Sequence, residues 1–549
     1  MATRSATFDA PRPSTNGHAA APAPSPNAVP HGRRIAGNKW LISLPVMLAA
    51  LIAVLDSSIV NVALPTMQAS FGSGVDEIDW VITGYLISNV IVIPATGWLA
   101  GTFGLTRYFI GSQIVFLAGS VLCGLSWNLP SLVFFRVLQG IGGGAILPVS
   151  LTIMLEAFPP GEFGMASALY GIGAVLGPAI GPTLGGYLTD TFSWPAIFYI
   201  NVPLVVLSIV LTQAFVHVTE RPAGAGRIDV VGLLTVAVWL GSLQLALQEG
   251  RRDGWFDSPF IISLFVISFL SFAAFLYTEL RVKQPLINLR IFKDLNFAAG
   301  SFGGALVGVS LFGSVFIVPL FAGTLLNYTA LQIGLVVLPA ALVSLVLFPV
   351  AGRIANRVDP RVQLTIGIIL MAAGMFGNAY LNLQYSFTGI MLVQMLRGAA
   401  LPFLFTSAGQ LALTGIAPKE KADASSLYNL MRTLGGSIGI AVIGTLIVNR
   451  EVFHFERFGE SVTQFAVATR ERLAALTNGF AAHSGAGSYE SAHLATAALS
   501  QTLTQQAFVS AFDDASFVLG VTSLAMLFLV PIFKVQKQAA SGPPALAAD

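Results

Sequence analysis

The amino-acid sequence predicts an all-α integral membrane protein of fourteen transmembrane helices, arranged as two homologous six-helix halves with two inserted helices between them. Three observations carry that expectation. The 549 residues are 55% hydrophobic and only 10% charged, with a mean hydropathy of +0.77, whereas soluble proteins carry about 25% charged residues. Apolar runs of bilayer-crossing length, roughly 17–25 residues each, recur fourteen times along the chain. The chain also repeats itself: "ASALYGIGAVLGPAIG" (166–181) matches "ASSLYNLMRTLGGSIG" (424–439) at an offset of 258 residues, and self-similarity of this kind marks duplicated structural units.

Taken in order, residues 1–39 are rich in Ala, Pro, Ser and Asn and end in "HGRRIAGNK", a composition that cannot build a core. They read as a disordered cytoplasmic tail. They do not read as a cleavable signal peptide, because no apolar run falls within the first 15–30 positions or so. Span 1 (40–64) contains Asp56 within "LDSSIVNVALP"; Ser57 and Asn61 mark a polar face, and Pro65 is expected to end the helix. Spans 2 to 6 follow near 80–101, 108–127, 131–155, 164–188 and 195–216, with Asn128 and Pro130 turning the chain between spans 3 and 4. Cys123, the single cysteine, reads as a small buried hydrophobe. Span 5 spaces Gly173, Gly177, Gly181 and Gly185 four apart, a smooth stripe that lets another helix approach closely. Pro178 and Pro182 are expected to bend it by removing backbone donors and crowding the preceding turn.

Spans 7 and 8 lie near 228–248 and 259–279. The second half, 297–533, holds spans near 297–326, 331–352, 362–382, 387–414, 424–448 and 512–533, an Ala-rich outer loop at 449–511 with a helical look ("TRERLAALTNGFAAH"), and a cytoplasmic tail at 534–549. Two weaker echoes support the division: "GWLAGTFGLTR" (97–107) against "GRIANRVDPR" (352–361), and "FFRVLQG" (134–140) against "QMLRGAA" (394–400). Span 2 thus pairs with 10, 4 with 12 and 5 with 13, which makes 40–216 and 297–533 the halves and 228–279 the insertion. The copy in span 13 keeps Gly435 and Gly439 but has no proline, so the halves are expected to bend differently. Parallel halves of this kind are an architecture of secondary transporters, whose sites lie at the interface near the midplane.

Orientation follows from the cations, because cytoplasmic segments retain positive charge. With both termini inside, the cytoplasmic segments hold 19 of the 28 Lys and Arg. A net charge of +2 gives no clustered basic footprint for nucleic acid. There is no His, Cys, Asp or Ser constellation at metal-ligand or catalytic spacing and no P-loop, so the expectations are no enzyme, no metal, no ATP and no cofactor beyond a proton gradient. A channel is disfavoured by the two-half repeat.

Charge inside a bilayer costs roughly 2.5–3.5 kcal/mol on insertion scales and defaults to a functional hypothesis. Asp56 lies roughly 24 Å into span 1 and Arg136 roughly 9 Å from the outer end of span 4 at 1.5 Å per residue, which gives them similar depth. A carboxylate held in low dielectric beside a cation can bind and lose a proton during a transport cycle, so Asp56 and Arg136 are the candidate proton-coupling pair. The competing reading is a structural ion pair. Asn61, Tyr85, Asn89, Gln113, Gln139, Gln394, Arg397, Gln410 and Arg432 are polar or aromatic groups that could line a substrate cavity, although a bundle needs interhelical hydrogen bonds anyway.

"LDSSIVNVALP", "GWLAGTFG", "FFRVLQGIGGGAILP" and "GAVLGPAIGPTLGGY", in that order, resemble the major facilitator superfamily and within it the fourteen-span drug:proton antiporters of the EmrB/QacA type; "WPAIFYINVP" (194–203) and "QQAFVSAFDDASF" add to the likeness. The resemblance implies the major facilitator fold and proton-coupled export of hydrophobic or amphipathic drugs from a bacterial inner membrane. The narrower alternative is export of one natural product: a siderophore, an antibiotic or a lipid. It also implies that Asp56 and Arg136 couple the proton, that Gly173, Gly177, Pro178, Gly181, Pro182 and Gly185 form the pliable antiporter motif, and that Gly97, Gly104, Arg107, Arg353 and Arg357 belong to a cytoplasmic gating motif. That motif is altered here, with Gly101 in place of an acid and Thr102 and Leu105 in place of basic residues. In such pumps the outer face meets an EmrA-like periplasmic adaptor and an outer-membrane channel.

Overall fold

The computed structural model describes residues 35–533 except 219–228, 283–284, 356, 418–419, 464 and 485–487. The tail expectations for residues 1–34 and 534–549 lie outside the described residues. Thirteen helices are long and apolar enough to cross a membrane, and a bent helix makes a fourteenth. They are α1 (Lys39–Phe71), α2 (Trp80–Phe103), α3 (Leu105–Gly124), α4 (Leu129–Ala157), α5 (Phe163–Thr191) and α6 (Asn201–Phe215); then α7 (Val230–Glu249) and α8 (Pro259–Arg281); then α9 (Leu295–Thr324), α10 (Ala330–Ile354), α11 (Pro360–Asn378), α12 (Phe387–Leu413), α13 (Lys421–Ser461) and α14 (Ser488–Ala525). The face of the bundle where α1 begins is called the first face and the opposite one the second face.

The packing repeats with a period of eight spans. In the first half α1 lies on α5, α2 and α3 lie on α4, and α3 touches α6; in the second, α9 lies on α13, α10 and α11 lie on α12, and α11 touches α14. The seam between the halves is made by α5 against α10 and by α2 against α13. Small residues make these approaches possible, since lipid offers no hydrophobic driving force between helices. A Cβ added at Gly435 would lie 2.1 Å from the Ala305 carbonyl, and one at Gly177 would lie 2.7 Å from the Leu55 amide.

The inserted α7 and α8 sit at the periphery. They pair through Trp239 against Phe272 and Phe275, with ring centroids 4.5 and 5.7 Å apart. Phe269, Leu270 and Val266 of α8 are exposed, as befits a lipid-facing surface. α7 is attached to α2, where Gly241 faces Ile87 and Ile91.

Local boundaries differ from the sequence reading at two places. Pro65 does not end α1 but lies inside it; the helix runs on to Phe71 and stops at Gly72, whose φ of 61° and amide bond to the Gln68 carbonyl form a left-handed cap. A proline forfeits one backbone bond, and α1 tolerates that at its second-face end. In the outer segment 449–511, whose sequence already looks helical, the spans run longer than hydropathy indicates: α13 continues to Ser461, a helix at Val467–Ser484 follows, and α14 begins at Ser488. Its Ala-rich composition favours helix. At the first face, Ile35–Ala36 pairs antiparallel with His217–Val218, tying the start of α1 to the end of α6.

Candidate functional site

Within the first half, α1, α2, α3, α4 and α6 enclose a polar cluster in an apolar surround. Asp56 and Arg136 are 0% and 1% exposed, and Arg136 Nη1 donates to Asp56 Oδ2 at 2.7 Å. The other carboxylate oxygen, Oδ1, accepts from Gln139 Nε2 at 2.8 Å and from Asn201 Nδ2 at 2.7 Å. Arg136 has further support: Nε donates to the Val81 carbonyl at 3.0 Å, Nη1 donates to Gln139 Oε1 at 2.7 Å, and the guanidinium lies 4.2 Å from the Tyr85 ring centroid. Asn201 also donates to Ser120 Oγ at 3.0 Å. Desolvating two ions costs several kcal/mol each, and the cost is offset only where geometry is good and the remaining hydrogen-bonding positions are filled. Here the carboxylate receives three donors. The arginine keeps a neutral acceptor, a backbone carbonyl and an aromatic face that do not depend on the charge of Asp56. The site can therefore hold Arg136 in place in either protonation state of the acid.

Glycines bring these helices within reach. A Cβ at Gly119 would lie 2.6 Å from the backbone of Gln139, and one at Gly140 would meet the Tyr85 carbonyl at 2.5 Å. The run "GIGGG" at 140–144 therefore seats α4 against α2 and α3. The four-residue stripe of α5 faces α1 along its length: Cβ atoms at Gly173, Gly177, Gly181 and Gly185 would meet Met47, Leu55, Ser58 and Ile59 respectively at 2.0–2.9 Å. Ser58 Oγ donates to the Gly177 carbonyl at 3.2 Å. The stripe thus lies within the first half, on the helix that carries Asp56, and not at the seam. α5 bends by 40° between Phe163–Pro178 and Ile180–Thr191. Pro182 can give no amide to the Pro178 carbonyl, and its ring crowds that carbonyl. Its counterpart α13 is one continuous helix.

The first face is closed by close packing rather than by ion pairs of the gating-motif arginines. Gly97 abuts Asp423, where a Cβ would stand 2.0 Å from Oδ1; Gly164 abuts Ala355 at 2.3 Å, and Gly352 abuts Ala168 at 3.0 Å. Ser425 Oγ donates to the Pro148 carbonyl at 2.9 Å, and Ser426 Oγ bonds the Ile93 carbonyl. Gly104, at φ 86°, makes the turn between α2 and α3. Arg107, Arg353 and Arg357 are exposed and, among the described residues, form no ion pair.

The cavity candidates scatter. Gln139 and Tyr85 do not line a cavity but belong to the Asp56 cluster, drawn there by the carboxylate and the guanidinium; the Tyr85 hydroxyl donates to the Ala53 carbonyl at 3.3 Å. Asn89 is half-buried over Gly143, and Asn61 is exposed near the second-face end of α1. Gln113 is buried on α3, and its amide atoms have no partner among the described residues. Gln410 lies at the first face beside Gly164. Arg397 is buried and donates to the Ser314 carbonyl at 2.9 Å, with no acid beside it among the described residues, while Gln394 donates to Asn378 at 2.9 Å.

Arg432 crosses the seam. Its Nη2 donates to the Tyr170 hydroxyl on α5 at 2.9 Å and to Asn429 Oδ1 at 2.8 Å, and the Tyr170 hydroxyl donates to the same Asn429 oxygen at 2.9 Å. Sequence reasoning missed Asn201, Tyr170 and Asn429 as functional candidates. Asn201 stands in the quoted "WPAIFYINVP", an amide in an otherwise apolar run. Asn429 and Arg432 are positions where the second copy of the repeat is polar while the first has Gly171 and Ala174.

Comparison with known proteins agrees with this fold. The family model described as Major Facilitator Superfamily matches residues 46–440. The chain is 36% identical over 426 residues to the multidrug export protein EmrB of Escherichia coli (strain K12), covering 77% of this chain and 83% of that protein. It is 31% identical over 496 residues to the fatty acid resistance protein FarB of Neisseria gonorrhoeae, covering 90% and 96% respectively. The crystal structure of the human organic anion transporter MFSD10 (TETRAN) shares the fold, with a TM-score of 0.60 at 12% identity over 90% of this chain and 99% of that one.

Proposed function

The chain belongs to the major facilitator superfamily, and from that premise we propose that it is a proton-coupled multidrug antiporter exporting hydrophobic and amphipathic compounds by alternating access. The observation that carries this reading is the buried Asp56, whose two oxygens are held by Arg136, Gln139 and Asn201. A proton arriving from the second-face side neutralises Asp56 and weakens its hold on Arg136, which remains on Gln139, Val81 and the Tyr85 ring. α1 is then free to shift along the glycine stripe of α5, the helix with the 40° bend. The seam contacts at Gly97–Asp423 and Gly164–Ala355 part on the first face and admit the drug. Loss of the proton restores the ion pair and the closed first face.

The drive is the proton gradient, with no cofactor. The distribution of 19 of 28 cations supports a cytoplasmic first face, with both termini inside, in a bacterial inner membrane. The multidrug export of the EmrB relative supports the substrate class. The fatty acid resistance of the FarB relative favours, as a second reading, a narrower lipid-like cargo. At 1.5 Å per residue the 41 residues of α13 span about 62 Å, about twice a 30 Å hydrocarbon core. Its second-face extension, with the helix Val467–Ser484 packed on α14, is the surface proposed to meet a periplasmic adaptor leading to an outer-membrane channel.

The test uses proteoliposomes holding the purified chain, loaded with ethidium and given a pH gradient. Gradient-dependent ethidium movement that collapses with an uncoupler is expected; ethidium movement at the same rate without a gradient would refute proton coupling.

A further inference from the structure

Resting on the export reading, we infer that Arg432, with Tyr170 and Asn429, is a recognition site at the seam for the headgroup of a carboxylate-bearing amphiphile. Arg432 is 4% exposed and stands eleven residues into α13, about 17 Å from the first face at 1.5 Å per residue, near the midplane of a 30 Å core. Among the described residues it makes no ion pair, and its Nη1 has no hydrogen-bond partner. Its two hydrogen bonds, to Tyr170 and Asn429, leave from Nη2 and end on neutral groups. A buried cation without a counter-charge is expensive, and the planar fork it presents matches a carboxylate, which can take two donors at once.

The surround suits the rest of such a molecule. The Phe405 and Tyr170 rings lie 5.2 and 5.6 Å from the guanidinium carbon, and Phe348 packs edge-on against Phe405 at 6.4 Å. These aromatics come from α12, α5 and α10, so the wall is built from both halves. The fold does not require polarity here: at the equivalent positions of the first half the repeat has Gly171 and Ala174 in place of Asn429 and Arg432.

The geometry also couples binding to opening. Tyr170 is the contact by which the first half holds Arg432. A carboxylate that takes the whole fork, Nη1 and Nη2 together, competes with the Tyr170 hydroxyl for Nη2 and so loosens the seam from within.

The experiment measures equilibrium binding of labelled cholate, its uncharged amide and tetraphenylphosphonium to the full chain, together with proton exchange in proteoliposomes. Arg432→Gln is expected to weaken cholate binding roughly 10- to 100-fold, as loss of hydrogen bonds to a charged group does, and to leave the amide and tetraphenylphosphonium unchanged. Arg432→Lys is expected to restore part of the loss. Tyr170→Phe, which keeps every charge and removes the competing hydroxyl, is expected to tighten cholate binding; it serves as the independent variant if Arg432→Gln does not fold. Equal weakening of all three probes by Arg432→Gln, or cholate binding unchanged or weakened in Tyr170→Phe, overturns the anion site. A wild-type chain that binds tetraphenylphosphonium and exchanges protons, but holds cholate no better than its amide, overturns it too while export stands. A wild-type chain that moves neither probe nor protons overturns the export reading itself.

Discussion

Neutralising Asp56 and Arg136, singly and together, separates a packing pair from a proton site. Asp56→Asn offers one acceptor oxygen where the carboxylate receives three donors at 2.7–2.8 Å, and it leaves Arg136 as a fully buried cation with no counter-charge. Removing one partner of a buried pair costs about 3–5 kcal/mol, of which an orphaned donor accounts for roughly 1–3 kcal/mol. Arg136→Gln strands the acid in the same way. The double variant Asp56→Asn/Arg136→Gln contains no charge, and replacing a buried pair by neutral groups is often close to neutral in stability. Both single variants should therefore melt well below the wild type in detergent, and the double should recover most of the difference. Coupling should not follow stability: with a pH dye trapped in proteoliposomes, the double variant should show no proton movement when substrate is added. Wild-type proton movement per substrate in that stable double variant would refute the assignment of Asp56 as the proton carrier and leave the pair with a structural role only.

Gly97→Val places its side chain where Asp423 Oδ1 stands 2.0 Å from the ideal Cβ; spin labels on the first-face ends of α2 and α13 should move apart, and unchanged distances would argue against Gly97 as a closure contact. Gly177→Leu drives a side chain into the α1 backbone beside Asp56, an overpacking worth roughly 1–3 kcal/mol or more, and should lower the yield of folded protein in fluorescence-detected chromatography. Pro182→Ala restores a donor for the Pro178 carbonyl and should stiffen α5. Drug binding should persist while turnover falls in a proteoliposome assay, and normal turnover would remove the bend from the cycle.

What the sequence makes legible follows from how strongly a bilayer constrains a chain. A run such as 295–324 has no alternative to a helix, because every backbone amide in hydrocarbon must be satisfied within the segment; the fourteen spans are therefore readable. Asp56 and Arg136 are readable for the same reason, since each is a charge where charge is costly. Their equal depth follows from counting residues along two antiparallel helices. Gln139 and Tyr85 could be seen but not assigned, because an amide or a phenol on a buried face serves a cavity and an ion pair equally well until its neighbours are known. The length of the second-face helices went unread, because a polar, Ala-rich helix in water leaves no hydropathy signal. The partner of the α5 glycines could not be read either: a stripe announces that some helix comes close, and only the packing of Gly177 on Leu55 identifies it as α1.

The two halves share their packing and divide their charges, and that division locates the chemistry. Gly177 and Gly435 stand at equivalent positions of the repeat, and both bring a neighbouring helix to backbone contact, on Leu55 and Ala305. A duplicated fold must keep such positions, because each half has to pack its own bundle. Charges are under no such requirement. The fully buried acid–arginine pair occurs in the first half, with no acid beside Arg397 among the described residues and only the partly exposed pair Arg450–Asp514 in the second, while the seam guanidinium of Arg432 occurs in the second half, where the first half's equivalent position is Ala174. On the proposed reading, the proton site at Asp56 is enclosed within one half and shielded from the substrate path, which the cation on the other half's seam helix faces. Protons and cargo can then compete through the movement of α1 and α5 rather than for a common side chain. On this arrangement Asp56→Asn should abolish proton exchange yet leave tetraphenylphosphonium binding within about twofold of wild type, a change too small to count as the loss of a charged contact. A tenfold or larger loss of that binding would mean that the cargo and the proton share Asp56.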